Sequence, residues 1–171
     1  MDYFELHVAG LTRQLPICKV NDEISFAAFV MFGDVELTER VAEELLKKCP
    51  EFDVIVTAEA KGIPLAYAMA RMSGKTYIPA RKAPKLYMHD PIAIEVKSIS
   101  TAVKQTLWLD QGDIDKINGA RILTVGRLDG NILNFLRSIC KRWEYLYSIF
   151  HLGSIIMGEN TWKGYLHSLW N

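Results

Sequence analysis

The eleven residues Val54-Ile55-Val56-Thr57-Ala58-Glu59-Ala60-Lys61-Gly62-Ile63-Pro64 restrict the folds open to this chain more than any other stretch. Val54 to Thr57 is apolar and β-branched, the composition of a strand covered on both faces. Ala58 to Gly62 is too small and too polar to continue it. Pro64 suits the first turn of a helix, where its missing N–H is not needed. Leu65, Ala66, Met69, Ala70 and Met72 recur near helical spacing, and Ser73-Gly74 ends that helix. Thr76 to Ala80 reads as a second short strand, followed by the basic cluster Arg81, Lys82 and Lys85. A loop that leaves a strand and opens a helix presents unbonded backbone N–H groups, which makes it an anion site. Lys61 adds a positive charge there, and the basic cluster leaves the end of the next strand, so both can face one crevice. A phosphate-rich ligand fits that arrangement.

Two segments carry a resemblance to a known family. Thr57-Ala58-Glu59-Ala60-Lys61-Gly62-Ile63-Pro64 resembles the Glu-Ala-Arg/Lys-Gly pyrophosphate loop of the type I phosphoribosyltransferases, adenine and xanthine branch. Tyr77-Ile78-Pro79-Ala80-Arg81-Lys82-Ala83-Pro84-Lys85 resembles that family's Pro-x-Arg-Lys segment. The resemblance covers roughly Phe4 to Val125. It implies an α/β fold: an open, mainly parallel, Rossmann-like sheet flanked by helices, with an N-terminal hood and a hairpin. It assigns Glu59, Ala60, Lys61, Gly62, Arg81, Lys82 and Lys85 to the pyrophosphate of phosphoribosyl pyrophosphate. The implied reaction moves 5-phosphoribose to a purine nitrogen and releases pyrophosphate, a purine-salvage step with Mg2+ as cofactor held through the pyrophosphate. The implied state is a homodimer.

The rest of the chain can be set around this centre. Phe4 to Ala9 alternates as a strand that Gly10 turns, with Leu11 to Pro16 and Ile17 to Val20 as hairpin partners. In the family the corresponding region, roughly residues 1–33, covers the purine, so Phe26, Phe29 and Phe32 are candidates to stack on a base. Each can equally be a core side chain. Asp34 is placed to cap a helix with an apolar stripe of Val35, Val41, Ala42, Leu45 and Leu46. On its wet face the pairs Glu43–Lys47 and Glu44–Lys48 have i,i+4 spacing. Cys49-Pro50 stops the helix.

Beyond Lys85, Leu86 to Pro91 reads as a loop. Tyr87 could belong to the segment that closes over the site in the family. His89 beside Asp90 is either an acid/base couple or an inert loop pair. Ile92 to Val96 and Gln105 to Leu109 are two strands; Lys97, Ser98 and Thr101 between them could touch phosphate or ribose oxygens or simply form a polar tip. Asp110-Gln111-Gly112 reads as a turn, Asp113 to Ile117 as a short helix, and Arg121 to Val125 as another buried strand. The order strand–helix–strand, hairpin, strand fits an open α/β sheet.

After Val125 the chain leaves the family pattern. The family places two acidic residues there to hold the ribose hydroxyls, then a Thr-Gly phosphate turn. This chain has Gly126-Arg127-Leu128-Asp129-Gly130-Asn131, with Asp129 as one late acid or part of an ordinary tight turn. Three of the four tryptophans (Trp143, Trp162, Trp170) also lie beyond this point. Residues 1–125 therefore read as one phosphoribosyltransferase-like domain, and 126–171 as a divergent tail, a helix and then irregular chain. Back-translated and read one base later, Gly126 to Asn131 can encode Asp-Asp-Leu-Met-Ala-Thr, which is like the missing motif. Arg142 to Leu146 can encode Gly-Gly-Asn-Ile at the same offset, and Trp162 to Ser168 can encode Gly-Lys-Asp-Ile-Phe-Ile-Ala. A frame shift near the Val125 codon accounts for all three. The alternative is an authentic tail, in which Ile132, Leu136, Ile139, Cys140 and Trp143 share one helical face.

Composition supplies bounds. The 171 residues suit one domain, and 50% hydrophobic content is enough for a core. A net charge of zero gives no reason to expect a nucleic-acid or membrane-surface partner. Cys18, Cys49 and Cys140 are scattered, which argues for a reducing compartment and against a disulfide framework or zinc site. With no signal-peptide pattern and no apolar run of membrane-spanning length, the expected location is the cytoplasm.

Overall fold

The computed structural model describes residues 2–22, 25–97, 104–126, 136, 147–149 and 155–157. By its contacts the chain divides into two units, Met1–Val30 with Leu152–Asn171, and Met31–His151.

In the first unit, β1 (Tyr3–Val8) and β2 (Leu11–Lys19) form an antiparallel hairpin in which Val8 faces Leu11 across the turn at Ala9 and Gly10. Gly10 holds φ +74, the left-handed backbone that a two-residue turn of this kind requires. The expected hairpin is thus present, with its second strand running unbroken through Pro16. β3 (Ser25–Ala27) adds antiparallel to β2.

The second unit begins with α1 (Val35–Lys48). Asp34 caps it as expected, accepting from the Leu37 N–H at 3.1 Å. The apolar stripe is shifted from the sequence reading. Val35 is 69% exposed, while Leu37, Val41 and Ala42 are buried. Two residues of helix turn the chain by about 200°, so Val35 and Leu37 cannot share a face. Thr38 joins the buried side because its hydroxyl donates to the Asp34 carbonyl at 2.8 Å. Arg40 pairs with Glu43 and Lys47 with Glu44, each three residues apart, so Lys47 meets Glu44 instead of the Glu43 expected at i,i+4.

β4 (Val54–Ala58), α2 (Ile63–Ser73) and β5 (Thr76–Ala80) follow where the sequence places them. Gly74 ends α2 in the left-handed conformation, as a C-terminal glycine should. α2 packs on β4 and β5 and against α1, where Arg71 pairs with Glu39. β6 (Ile92–Lys97) and β7 (Lys104–Leu109) form an antiparallel hairpin. α3 (Gln111–Ile117) starts earlier than predicted: Asp110 is its N-cap and accepts from the Asp113 N–H at 2.8 Å. β8 (Ile122–Val125) then pairs parallel to β4, and β9 (Tyr147–Ile149) parallel to β8. The resulting order is β5-β4-β8-β9, an open parallel sheet. In the first unit β10 (Ile155–Met157) completes the order β1-β2-β3-β10. No helix among the described residues is long and apolar enough to cross a membrane.

β4 is the centre of the second unit. Val54 and Val56 join Ile78, Ile94, Leu107, Leu109, Ile114, Ile117 and Ile122 in one cluster. Ile55 and Thr57 point to the other face, by the two-residue alternation of a strand, and are fully buried.

At the N-terminal end of the sheet Arg121 holds Asp53 through two side-chain bonds, at 2.8 and 3.0 Å, and contacts Glu51. The Arg121 side chain and backbone N–H hold the Asp53 carboxyl well below the usual carboxylate range. A depressed carboxyl contributes stability that is present above the unfolded pKa, near 3.9, and is lost as pH falls. The Asp53→Asn variant should therefore show a shallower loss of stability below about pH 4, read from urea midpoints against pH. Its curve should converge with the wild type in strong acid.

Candidate anion-binding site

Ala58, the last residue of β4, lies directly opposite Ala80, the last residue of β5. The loop 59–62 and the segment 81–85 therefore leave the same end of the sheet side by side. The ladder continues one step beyond the strands, with the Glu59 N–H donating to the Ala80 carbonyl at 2.9 Å. The Glu59–Ala60 peptide bond is cis. The Glu59 carboxylate turns onto the basic segment: Oε2 accepts from the Lys82 backbone N–H at 2.8 Å and from Arg81 Nε at 3.3 Å. Glu59 and Arg81 are 23% and 27% exposed, so this contact is half-withdrawn from water. The Lys82 N–H, and beyond it the charges of Arg81 and Lys85, hold the Glu59 carboxyl below its ordinary range.

Arg81 is fixed on further sides. Its Nη1 donates to the Tyr87 hydroxyl at 3.1 Å. Its backbone forms an antiparallel bridge with Trp108 through two bonds of 2.8 and 2.7 Å, which joins the β6–β7 hairpin to the end of β5. Lys85 and Met88 close a small turn beneath, with the Met88 N–H donating to the Lys85 carbonyl at 3.0 Å.

The other wall is the start of α2. Gly62 caps the helix without a side chain, and Pro64 occupies its first turn. The Ala60, Lys61 and Gly62 N–H groups make no backbone hydrogen bond among the described residues. Lys61 is exposed beside them. Gly62 is pressed against β4 and β8. A Cβ built on it would lie 2.2 Å from Thr57 Oγ1 and 3.1 Å from the Val125 carbonyl oxygen. Gly126, with φ +95, meets Gly62 and Thr57 from the β8 side. The Thr57 hydroxyl is buried and has no hydrogen-bond partner among the described residues. The segment after Val125 thus begins in contact with the loop that opens α2.

The structure brings Glu59, Arg81 and Lys82 into direct contact and sets Ala60, Lys61 and Gly62 at the same sheet end, with Lys85 close enough to influence Glu59. The three phenylalanines have different surroundings: Phe26 is half-buried on β3, Phe29 is buried, and Phe32 is exposed just before α1. Among the remaining candidates, His89 and Asp90 are exposed, and the His89 carbonyl accepts from the Gln111 N–H. Lys97 ends β6. Ser98, Thr101, Arg127 and Asp129 lie outside the described residues, as do Ile132, Ile139, Cys140 and Trp143. Leu136 is helical and buried. Sequence reasoning missed Thr57 and Gly126 as parts of this site. A threonine at the last inward position of an apolar strand and a glycine directly after a buried strand are the signals that could have found them. Among the described residues no group of three or more His, Cys, Asp or Glu side chains could hold a metal ion.

No model of a protein family matches the chain, and no curated protein matches it. Solved structures do. An adenine phosphoribosyltransferase from Thermoanaerobacter pseudethanolicus aligns with TM-score 0.51 and 21% identity, over 64% of this chain and 64% of that one. The Saccharomyces cerevisiae adenine phosphoribosyltransferase, complexed with D-2,5-dideoxy-2,5-imino-altritol 1,6-bisphosphate and adenine, aligns with TM-score 0.52 and 18% identity, over 64% of this chain and 65% of that one. The chain has a phosphoribosyltransferase fold. The parallel β5-β4-β8 sheet with its helices is the shared α/β frame. The match spans just under two thirds of the length of each of these phosphoribosyltransferases.

Proposed function

We propose that this chain binds phosphoribosyl pyrophosphate in the adenine phosphoribosyltransferase manner, with the pyrophosphate between the loop 59–62 and the segment 81–85. The observation that carries this reading is the Ala58–Ala80 register, which sets the unbonded amides of one strand end beside the cations of the next. In the implied reaction negative charge builds on the departing pyrophosphate. Preorganised donors aimed at that charge are what lower such a barrier. Lys61 and the Ala60, Lys61 and Gly62 amides would meet it from the helix side, and Arg81, Lys82 and Lys85 from the β5 side. Mg2+ when bound would neutralise phosphate oxygens. With Glu59 committed to Arg81 and Lys82, the cation would rest on the ligand's own oxygens. The imino-altritol bisphosphate and adenine in the yeast protein support a bisphosphate and a purine as the ligand classes here. The family resemblance adds a homodimer, and the scattered cysteines with no signal-peptide pattern support a cytoplasmic location.

The same reading gives weak or absent turnover. Gly126-Arg127 stands where the family carries its ribose-holding acids, so a bound sugar would lack its orienting partners. This favours a purine or phosphoribosyl pyrophosphate binder descended from an enzyme. We read residues 126–171 as a shifted frame; stop codons throughout that frame in the coding DNA would overturn this. Calorimetry on the full chain should detect phosphoribosyl pyrophosphate, with at least about tenfold weaker binding in Lys61→Ala, the loss of one charge-assisted contact. A spectrophotometric assay of nucleotide formation should give little or no rate. Failure of the wild-type chain to bind phosphoribosyl pyrophosphate or inorganic pyrophosphate would refute the reading.

A further inference from the structure

We propose that Glu59 is a positioning residue, a tie that holds the 59–62 loop against the Arg81–Lys82 segment, and not a contact to the ligand. The inference rests on the pyrophosphate reading above and deepens it. A carboxylate is an adverse neighbour for a diphosphate, since like charges repel. Its place in the site is explained by what it holds. One oxygen, Oε2, accepts from both the Lys82 backbone N–H and Arg81 Nε, groups 23 and 22 residues away in sequence. Arg81 is then held from a second side by the Tyr87 hydroxyl and through its backbone by Trp108. With Glu59 in place, the amides that open α2 and the cations that leave β5 are linked by more than the single backbone bond from the Glu59 N–H to the Ala80 carbonyl. Without it, the Lys82 N–H loses its acceptor and the Arg81 guanidinium loses its half-buried counter-ion.

Charge and position make opposite forecasts, which gives the test its sign. Pure repulsion by Glu59 means that every neutral substitution tightens pyrophosphate binding. The positioning role separates the variants. Glu59→Gln keeps an oxygen to accept the Lys82 N–H and sheds the charge, so it should bind inorganic pyrophosphate at least as tightly as the wild type. Glu59→Ala sheds both and should bind about tenfold or more weakly, as expected when one charge-assisted hydrogen bond is lost. Glu59→Asp keeps the charge on a side chain one carbon shorter and should be weaker still. Titration calorimetry of the full chain with inorganic pyrophosphate reads the order. Amide hydrogen exchange at Lys82, without ligand, should show protection kept in Glu59→Gln and lost in Glu59→Ala and Glu59→Asp. If Glu59→Ala does not fold, the Gln and Asp variants decide alone. Binding in the wild type together with equal or tighter binding in Glu59→Ala, or in Glu59→Asp, overturns the proposal and leaves the pyrophosphate site standing. Absence of binding in the wild type overturns both.

Discussion

Gly62→Ala should cost about 2–3 kcal/mol of stability and abolish pyrophosphate binding, the largest single effect expected outside the core. The new methyl would sit 2.2 Å from Thr57 Oγ1 and 3.1 Å from the Val125 carbonyl oxygen. Neither can move aside cheaply. Thr57 is β-branched and wholly buried in a central strand, so its χ1 has little freedom. The Val125 oxygen belongs to the strand next to it. The start of α2 would have to lift off the sheet, carrying the Ala60–Gly62 amides with it. Alanine's helix propensity returns at most about 1 kcal/mol, which does not offset the overlap. Removing the obstruction should restore much of the loss: the double variant Gly62→Ala, Thr57→Ala should recover about half, a coupling within the range seen for touching residues. Thr57→Val alone should be neutral or slightly stabilising, because it deletes a buried hydroxyl with no partner among the described residues and keeps the shape. Urea unfolding midpoints for the four chains check all of this. A Gly62→Ala chain as stable as the wild type would show that the contact is slack.

Arg81→Ala should weaken inorganic pyrophosphate binding by about thirtyfold or more and lower stability by about 1–2 kcal/mol. The binding loss reflects a charge removed from the seat. The stability loss has a different origin. Glu59 remains half-buried, its Arg81 partner gone, with only the Lys82 N–H to satisfy Oε2. Tyr87 also loses the donor that its hydroxyl meets. Arg81→Lys should return part of the affinity and little of the stability, since an ammonium cannot reproduce a guanidinium held from two sides. Calorimetry and thermal unfolding of the two variants separate the terms. Equal affinity in Arg81→Ala and wild type would place the anion elsewhere.

The parts of this molecule legible in the sequence are those fixed by neighbours along the chain. Val54 to Thr57 could only be a covered strand, Pro64 and Gly74 bracket α2, and the strand–helix–strand order leads to the parallel sheet. Errors arose where one local signal has two meanings. Val35 has the right type for the core and the wrong angle. Asp110-Gln111-Gly112 reads as a turn, yet the same aspartate chemistry starts a helix. That the loop 59–62 and the cluster 81–85 leave one end of the sheet was legible because each is a short local pattern beside a strand end. The Glu59 contact was not, because it joins side chains that only the β4–β5 register brings together. The meeting of Thr57, Gly62 and Gly126 was invisible for the same reason: it needs three segments at once.

The bridge between Arg81 and Trp108 has a mechanical meaning. Two peptide hydrogen bonds couple a guanidinium-bearing residue to an antiparallel ribbon that also lends Ile94, Leu107 and Leu109 to the core. Such a joint transmits force in both directions. Whatever grips the cation also pulls on the ribbon, and whatever displaces the ribbon re-aims the cation.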